Sequence, residues 1–307
     1  MTSSERTCFV VSDGRRGIEN QALGLAEAVA RLTALRLMPV HVPRSGPIEE
    51  PGAIAPELWI GCGRAAVRAS GPHRRAFPDC VMVYVQRPRE ALERFDLIVP
   101  PRHDRIDGPN VFPILGSPNR ITPARLAEGA APFAERARAL PAPRAAVLIG
   151  GDSKHHRFTE AVSDYLLDRL AFLRSRGVGL MVTVSRRTPE DFGDVLRARF
   201  RRDPGVWLHD GDGPNPYFAF LGFADWIFVT EDSTNMLTEA ATAGKPVYRL
   251  GLDGNAGKFK RLYGELEAHG AMRPFLGRLE RWDYTPLHET ERAARRVLEI
   301  LDARAHS

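Results

Sequence analysis

Lysine is almost missing from this 307-residue chain, occurring only at positions 154, 245, 258 and 260. The net charge of +5 is therefore carried by dispersed arginines. No basic block interleaved with aromatics occurs, and the pairs Arg186-Arg187 and Arg201-Arg202 are too short to be more than solvated faces. Nucleic acid is thus not an expected partner. Cysteine is scarce too: Cys8, Cys62 and Cys80 form no Cys-x-x-Cys pair, and Cys8 and Cys80 flank apolar runs where a thiol packs as a small hydrophobe. A reducing compartment fits. No apolar segment approaches the ~20 residues of a membrane span, and the N-terminus lacks the apolar core of a signal peptide. The expectation is a cytoplasmic protein, in contact with a membrane at most peripherally, at its inner face. Also absent are the Walker spacing, the Gly-x-Ser-x-Gly elbow and any Cys/His catalytic pattern. Gly61-Cys62-Gly63-Arg64-Ala65-Ala66 matches Gly-x-Gly-x-x-Ala, but it does not follow the first strand. No acidic residue ends a strand ~20 residues later, so nicotinamide redox chemistry is not expected.

What is present describes a globular α/β protein. Hydrophobic residues make up 43% and charged residues 26%, and the length allows two domains, each with its own core. The chain is organised around Trp226–Gly251. An apolar strand at Trp226–Val229 meets the capping residues Asp232-Ser233-Thr234, and a helix carries Met236, Leu237, Ala240 and Ala241 on one face. Gly244 and Pro246 stop the helix before a further strand. Such a strand–turn–helix aims backbone N–H groups and the positive helix end at an anion. Glu239, seven residues after Asp232, lies roughly 10 Å further along the axis, near the span from a nucleotide's diphosphate to its ribose hydroxyls.

Cys8–Val11 is a strand leading into the glycine-bounded loop Ser12–Gly17, with a helix expected over Glu19–Leu32. Strands follow at Leu35–Val42, Leu58–Ile60, Val81–Gln86, Asp96–Pro100 and Val111–Leu115, with a short helix after Gly61–Ala66. A helix over Pro123–Ala139 and a proline-rich stretch, Leu140–Pro143, read as a connector. Beyond it come strand Ala145–Ile149, loop Gly150–Lys154, a helix over Arg157–Ser175, strand Gly179–Val184, helix Pro189–Phe200 and strand Gly205–His209. The turn-rich loop Asp210–Pro216, helix Lys258–His269 and a last amphipathic helix, His288–Ala303, complete the pattern. Strands alternating with helices imply parallel sheets covered on both faces. The expected organisation is an N-terminal domain at 1–118, a linker at 119–144, a second domain at 145–286 and a C-terminal helix at 287–307.

Three loops of the second half follow strands: Gly150–Lys154, Asp210–Tyr217 and Glu231–Asn235. In an open parallel sheet such loops share the ligand crevice. Gly150-Gly151 would let the backbone approach a phosphate closely, with Ser153 and Lys154 supplying a donor and a charge. Asp210-Gly211-Asp212 has the form of an Asp-x-Asp metal motif, but its Gly, Pro and Asn neighbours read it as a turn. His155-His156 has no further ligand at metal spacing. No metal is expected.

Several segments together resemble one known family. They are Asp13-Gly14-Arg15-Arg16-Gly17-Ile18-Glu19-Asn20-Gln21-Ala22-Leu23-Gly24-Leu25-Ala26, Ile149–Lys154, Asn215-Pro216-Tyr217, Val229–Ser233 with Glu239-Ala240, Gly244–Tyr248 and Trp282–Leu287. In order and spacing they are similar to the mitochondrial-fission "elongated mitochondria" family. Plant members act in mitochondrial division by recruiting a dynamin-type protein, and bacterial members are generally described as glycosyltransferase-like. The resemblance implies a GT-B-like fold: two Rossmann-like parallel-sheet domains facing a cleft, with the C-terminal helix crossing back to the first. It implies a nucleotide diphosphate-sugar held in the second domain by Gly150, Gly151, Ser153, Lys154, Asn215, Tyr217, Asp232, Ser233, Thr234, Asn235, Glu239 and Lys258. Ser233 and Thr234 would take the diphosphate, Glu239 the ribose, and Asn215–Tyr217 would lie near the base. Lys154 or Lys258 would neutralise the leaving group without a metal.

By the same resemblance the first domain presents the acceptor through Gly14, Gly17, Asn20 and Gln21. Related loops commonly carry His directly after the last glycine; here that residue is Ile18, which moves no proton. Asp13 and Glu19 are the candidates to replace it. The leading expectation is metal-independent sugar transfer from a nucleotide diphosphate-sugar to an envelope or glycan acceptor. The alternatives are a non-catalytic adaptor that recruits a protein partner and a sugar-nucleotide epimerase. The last would need two carboxylates flanking the sugar carbon, for which Asp13, Glu19 and Asp152 are the candidates.

Overall fold

The computed structural model describes residues 6–306. They form two compact units, one made of the residues through 120 plus 288 onwards, the other of Ile121–Leu287. The first opens with β1 (Arg6–Ser12), α1 (Arg16–Ala30), β2 (Leu35–His41), β3 (Leu58–Cys62), α2 (Gly63–Ala76), β4 (Val81–Val85) and β5 (Leu97–Val99). Its strands are all parallel, in the order β2-β1-β3-β4-β5. Every residue of β3, β4 and β5 is buried, as strands covered on both faces require. On one face Ala22, Leu25, Ala26 and Val29 of α1 meet Val10, Ile60 and Val83. On the other, Ala65, Ala66 and Ala69 of α2 meet Val11, Trp59 and Met82. Pro39 is accommodated because β2 lies at the sheet edge, where a missing N–H costs no ladder bond. The strand expected at Val111–Leu115 is reduced to isolated bridges, Ile98 to Val111 and Pro101 to Ile114. Pro113 in its middle cannot donate to a ladder.

The second unit comprises α3 (Pro123–Ala130), α4 (Ala134–Arg138), β6 (Arg144–Ile149), β7 (His156–Arg157), α5 (Glu160–Ser175), β8 (Gly179–Val184), α6 (Glu190–Phe200), β9 (Val206–His209), α7 (Tyr217–Phe223), β10 (Trp226–Thr230), α8 (Thr234–Thr242), β11 (Val247–Leu250), β12 (Asp253–Gly254), α9 (Phe259–Ala268) and β13 (Met272–Pro274). The single helix expected over 123–139 is split by a 3₁₀ turn at Ala131–Phe133, because Pro132 removes a helical N–H. The helix expected from Arg157 starts at Glu160, capped by the Thr159 side chain. The two residues His156 and Arg157 instead pair antiparallel with Gly254 and Asp253.

The main sheet of this unit is parallel, in the order β13-β11-β10-β6-β8-β9. Renumbered within the unit this is 6-5-4-1-2-3, the doubly wound order that reverses between its first and fourth strands. The reversal places β6 beside β10. After the second unit the chain forms α10 (Glu289–Ala305), which belongs to the first unit. Ala293, Ala294, Val297 and Leu301 of α10 join the core that α1 covers. No helix among the described residues is long and apolar enough to cross a membrane.

Candidate functional site

Ligands of doubly wound sheets lie beyond the carboxyl ends of the strands, where the order reverses. In the second unit that point is flanked by the loop after β6, Gly150–His155, and the turn after β10, Glu231–Ser233. The two loops are tied together by Asp232. Its side chain has no exposed surface, although the partnering Arg187 is 43% exposed. The Asp232 carboxylate accepts from the Thr230 hydroxyl at 2.7 Å, the Gly151 N–H at 3.1 Å and the Arg187 guanidinium at 2.6 Å. Thr230 Oγ1 also accepts the Gly150 N–H at 2.7 Å, and the Thr188 hydroxyl donates to the Gly150 carbonyl. A Cβ on Gly150 would lie 2.2 Å from both Asp232 oxygens, and one on Gly151 would lie 1.9 Å from the Arg187 carbonyl oxygen. The glycine pair is therefore required by the protein's own packing. Asp232, expected among the ligand-facing groups, turns its carboxylate inward, and the helix cap is Ser233, whose Oγ accepts the Met236 N–H.

Further along α8 the structure joins two residues that the sequence reading placed in one site. The Tyr217 hydroxyl donates to Glu239 Oε2 at 2.5 Å. Asn215 sets this up by accepting the Tyr217 N–H at 3.0 Å at the start of α7. Loss of solvation pushes the Glu239 carboxyl up to about 7, against the opposing pull of the Tyr217 hydrogen bond. Burial, and then the neighbouring Glu239 charge, hold the Tyr217 phenol well above its ordinary value. A half-buried carboxyl that titrates near neutrality, beside a phenol, suits hydroxyl-bearing ligands. Thr234 and Asn235 open α8.

The rest of the loop after β6 is used differently. Ser153 Oγ accepts the N–H groups of His155 and His156 at 3.2 and 3.0 Å, so this hydroxyl shapes the turn. Asp152 accepts the Phe158 N–H at 2.8 Å. Lys154 is exposed and, with His155, Arg157, Asn255 and Gly257, lines an open cavity of 380 Å³. The β7–β12 pairing builds that wall by bringing His156 to Gly254. Lys258 lies over the Phe259 ring at 5.5 Å.

In the first unit the order reverses between β1 and β3, so the loop after β1 occupies the corresponding place. The Asp13 side chain is only 2% exposed and pairs with Arg15 at 2.7 Å, with Arg44 at 3.9 Å. Gly14, at φ +74°, makes the turn and donates its N–H to Ser12 Oγ at 3.1 Å. Glu19, in the first turn of α1, bonds His41 at the end of β2, with Oε1 2.6 Å from Nε2. Gln21 donates to the Gly17 carbonyl at 2.9 Å and accepts from Gln86 at 3.2 Å. Asn20 sits half-buried beside them on α1. Cys62, Cys8 and Cys80 are free and buried, and burial raises all three thiols, which makes them poor nucleophiles. Among the described residues no three His, Cys, Asp or Glu side chains gather as a metal-binding group.

The residues missed by sequence reading are Thr230, Arg187, His41 and Gln86. Each ends, or follows, a strand whose neighbours are distant in sequence. The one available signal was a polar side chain at the carboxyl end of an apolar strand.

The fold is similar over nearly its whole length to solved structures of other proteins. The UDP-GlcNAc 2-epimerase of Methanocaldococcus jannaschii matches with a TM-score of 0.63 at 10% identity, covering 97% of this chain and 99% of that one. MurG of Acinetobacter baumannii matches with a TM-score of 0.50 at 13% identity, covering 98% and 99%. At such identities the likeness establishes the fold alone, and that fold is GT-B-like. In sequence the chain is 30% identical over 279 residues to the mitochondrial fission protein ELM1 of Arabidopsis thaliana, which covers 82% of this chain but 65% of the plant protein. It is 25% identical to the uncharacterized protein RP120 of Rickettsia prowazekii, across 95% of this chain and 97% of that one. The family model described as Mitochondrial fission ELM1 matches residues 16–301, and the chain accordingly belongs to the mitochondrial fission ELM1 family.

Proposed function

We propose that this chain is a metal-independent glycosyltransferase. In this reading it binds a nucleotide diphosphate-sugar through the second unit and passes the sugar to a hydroxyl acceptor of the cell envelope or a glycan. The observation that carries the reading is the Tyr217–Glu239 pair. It joins α7 to α8, the helix that leaves the reversal point of a doubly wound sheet. A carboxylate there takes the paired hydroxyls of a ribose, and the N-terminal end of α8 at Thr234 turns the positive end of the helix dipole towards a phosphate. Lys154 is the exposed cation nearest in sequence to the Gly150-Gly151 turn and is assigned to the leaving diphosphate. Lys258 is its alternative. The solved structures of similar fold include an epimerase in complex with UDP-GlcNAc and UDP, as its description states. Cytoplasmic placement, with at most a peripheral contact with the membrane, is part of the proposal.

A thermal-shift panel of UDP-, GDP- and CMP-linked compounds tests it. A ligand that binds only the folded chain stabilises it by about 2.7 kcal/mol at a hundred times its Kd. One base class is expected to raise the midpoint by several degrees, and a panel in which nothing does so at millimolar concentration contradicts the reading. The adaptor reading is favoured by one observation: the relative that shares 30% identity is named for mitochondrial fission. Nucleotide binding without turnover, with a protein partner whose capture survives Glu239→Ala, would decide for it.

A further inference from the structure

We infer that the first unit binds an acidic glycan, one bearing phosphate or carboxylate groups, where the order of its own sheet reverses. The site lies wholly within that unit, and it goes beyond the transferase reading without depending on it. In the sheet order, β2, β1, β3 and β4 each end in a loop that presents arginine. Arg44 follows β2, Arg15 and Arg16 follow β1, Arg64 follows β3 and Arg87 follows β4. Contacts between these loops make them one surface. Gln21 of α1 accepts from Gln86 at 3.2 Å and from the Cys62 thiol at 3.9 Å. Ile18 Cγ2 lies 2.9 Å from where a Cβ on Gly63 would stand.

The carboxylates of this surface are already engaged. Asp13 accepts from Nε and Nη2 of Arg15 at 2.8 and 2.7 Å and lies 3.9 Å from Arg44, while Glu19 bonds His41. Arg15 and Arg44 still keep 52% and 69% of their side chains exposed, so Asp13 orients two guanidinium groups without covering them. The side chains of Arg16 and Arg64 are exposed and form no hydrogen bond or ion pair among the described residues. Exposed Arg87 donates to the Asp104 carbonyl at 3.0 Å. At the other end of the sheet Arg6, Arg74 and Arg304 are matched to Asp302 and Asp96 and fasten the fold, whereas Arg16 and Arg64 hold nothing in place. Pro43 and Pro88, each beside one of these arginines, restrict their loops, and Gln86 holds left-handed backbone at φ +90°. A stiff array of forked donors suits oxyanions held at two or more points. Nucleic acid and a membrane fit less well. No Phe, Trp or Tyr occurs in residues 13–17, 42–46, 63–64 or 86–89 to stack a base. The exposed large apolar residues among those described, Leu32, Ile54, Val195 and Leu276, all lie elsewhere. Asn20, His41 and Gln86 instead supply amide and imidazole groups for sugar hydroxyls.

The test measures binding of fluorescently labelled hexagalacturonate and phosphorylated mannohexaose to the full chain by anisotropy, with labelled maltohexaose as the neutral probe. At least one acidic probe is expected to bind, and the neutral one to bind about tenfold more weakly or worse. Combining Arg16→Gln, Arg64→Gln and Arg87→Gln is expected to weaken acidic binding about 30-fold, and each substitution alone about threefold. The single variants carry the test should the triple variant unfold. Combining Arg36→Gln, Arg75→Gln and Arg295→Gln removes the same charge from exposed positions of the same unit and should stay within about twofold of wild type. Equal weakening by the two triple variants, or binding of neither acidic probe at millimolar concentration, overturns the inference. So does tighter binding of hexathymidylate or of phosphatidylglycerol vesicles that depends on Arg16, Arg64 and Arg87, which would make the ligand a nucleic acid or a lipid surface. A chain that binds an acidic probe but is stabilised by no nucleotide sugar contradicts the transferase reading alone.

Discussion

Gly151→Ala is expected to destabilise the second unit by about 3 kcal/mol or more. The added Cβ would meet backbone, 1.9 Å from the Arg187 carbonyl oxygen and 2.5 Å from the Thr188 nitrogen, and backbone cannot swing aside as a flexible side chain can. Asp232→Ala attacks the same knot from the other side. It leaves the Gly151 N–H without an acceptor, strips Thr230 and Arg187 of their shared carboxylate, and is expected to cost about 3 kcal/mol. Urea unfolding followed by tryptophan fluorescence reads both, because Trp207, Trp226 and Trp282 all lie in the second unit. Gly264→Ala on the exposed face of α9 is the control. No atom lies within 4 Å of its added Cβ, so it should be stabilising by about 0.5–1 kcal/mol. Equal effects at positions 151 and 264 would mean that the Asp232–Arg187 arrangement does not form.

Glu239→Gln has two separable expected effects. The folded carboxyl keeps its proton to about pH 7, whereas the unfolded one loses it near 4.5. Between those values the folded chain binds more protons, so this group's contribution to stability is fully present below pH 4.5 and is lost as pH rises through 7. The loss is up to about 3 kcal/mol, at about 1.4 kcal/mol per pH unit. Wild-type stability should therefore fall across this window relative to Glu239→Gln, whose amide does not titrate. Parallel pH profiles for the two proteins would refute it. The second effect concerns the ligand. If Glu239 grips ribose hydroxyls, Glu239→Ala should weaken nucleotide binding by 10- to 100-fold at pH 8 while leaving fold stability at that pH unreduced. Tyr217→Phe should carry the upper end of the pH window above 7, since the lost hydrogen bond favoured the charged form.

The architecture was legible in the sequence wherever a strand was a continuous apolar run. Trp226–Thr230, Val81–Val85 and Gly179–Val184 lie within a residue of their expected bounds, because a strand covered on both faces leaves no room for polar side chains. Errors fell where proline intervened, at Pro113 and Pro132, and at His156–Arg157, whose partner lies almost a hundred residues away. A local pattern carries no information about such a partner.

The candidate site divides in the same way. By itself the sequence determined which residues end the strands and open the helices, because hydrophobic period, capping chemistry and glycine stops act over a few residues. It thus placed Gly150 on the loop after β6, Ser233 at the start of α8 and Glu239 within that helix, and put Glu19 on the first turn of α1. Only the tertiary structure decided which way those groups face. It turned Asp232 inward onto Arg187, joined Tyr217 to Glu239, closed Asp13 between two arginines and brought His41 to Glu19. Those pairings are made by strand order and register, which are settled by how whole sheets pack. The titration of Glu239 and the exposure of His41 follow from that packing.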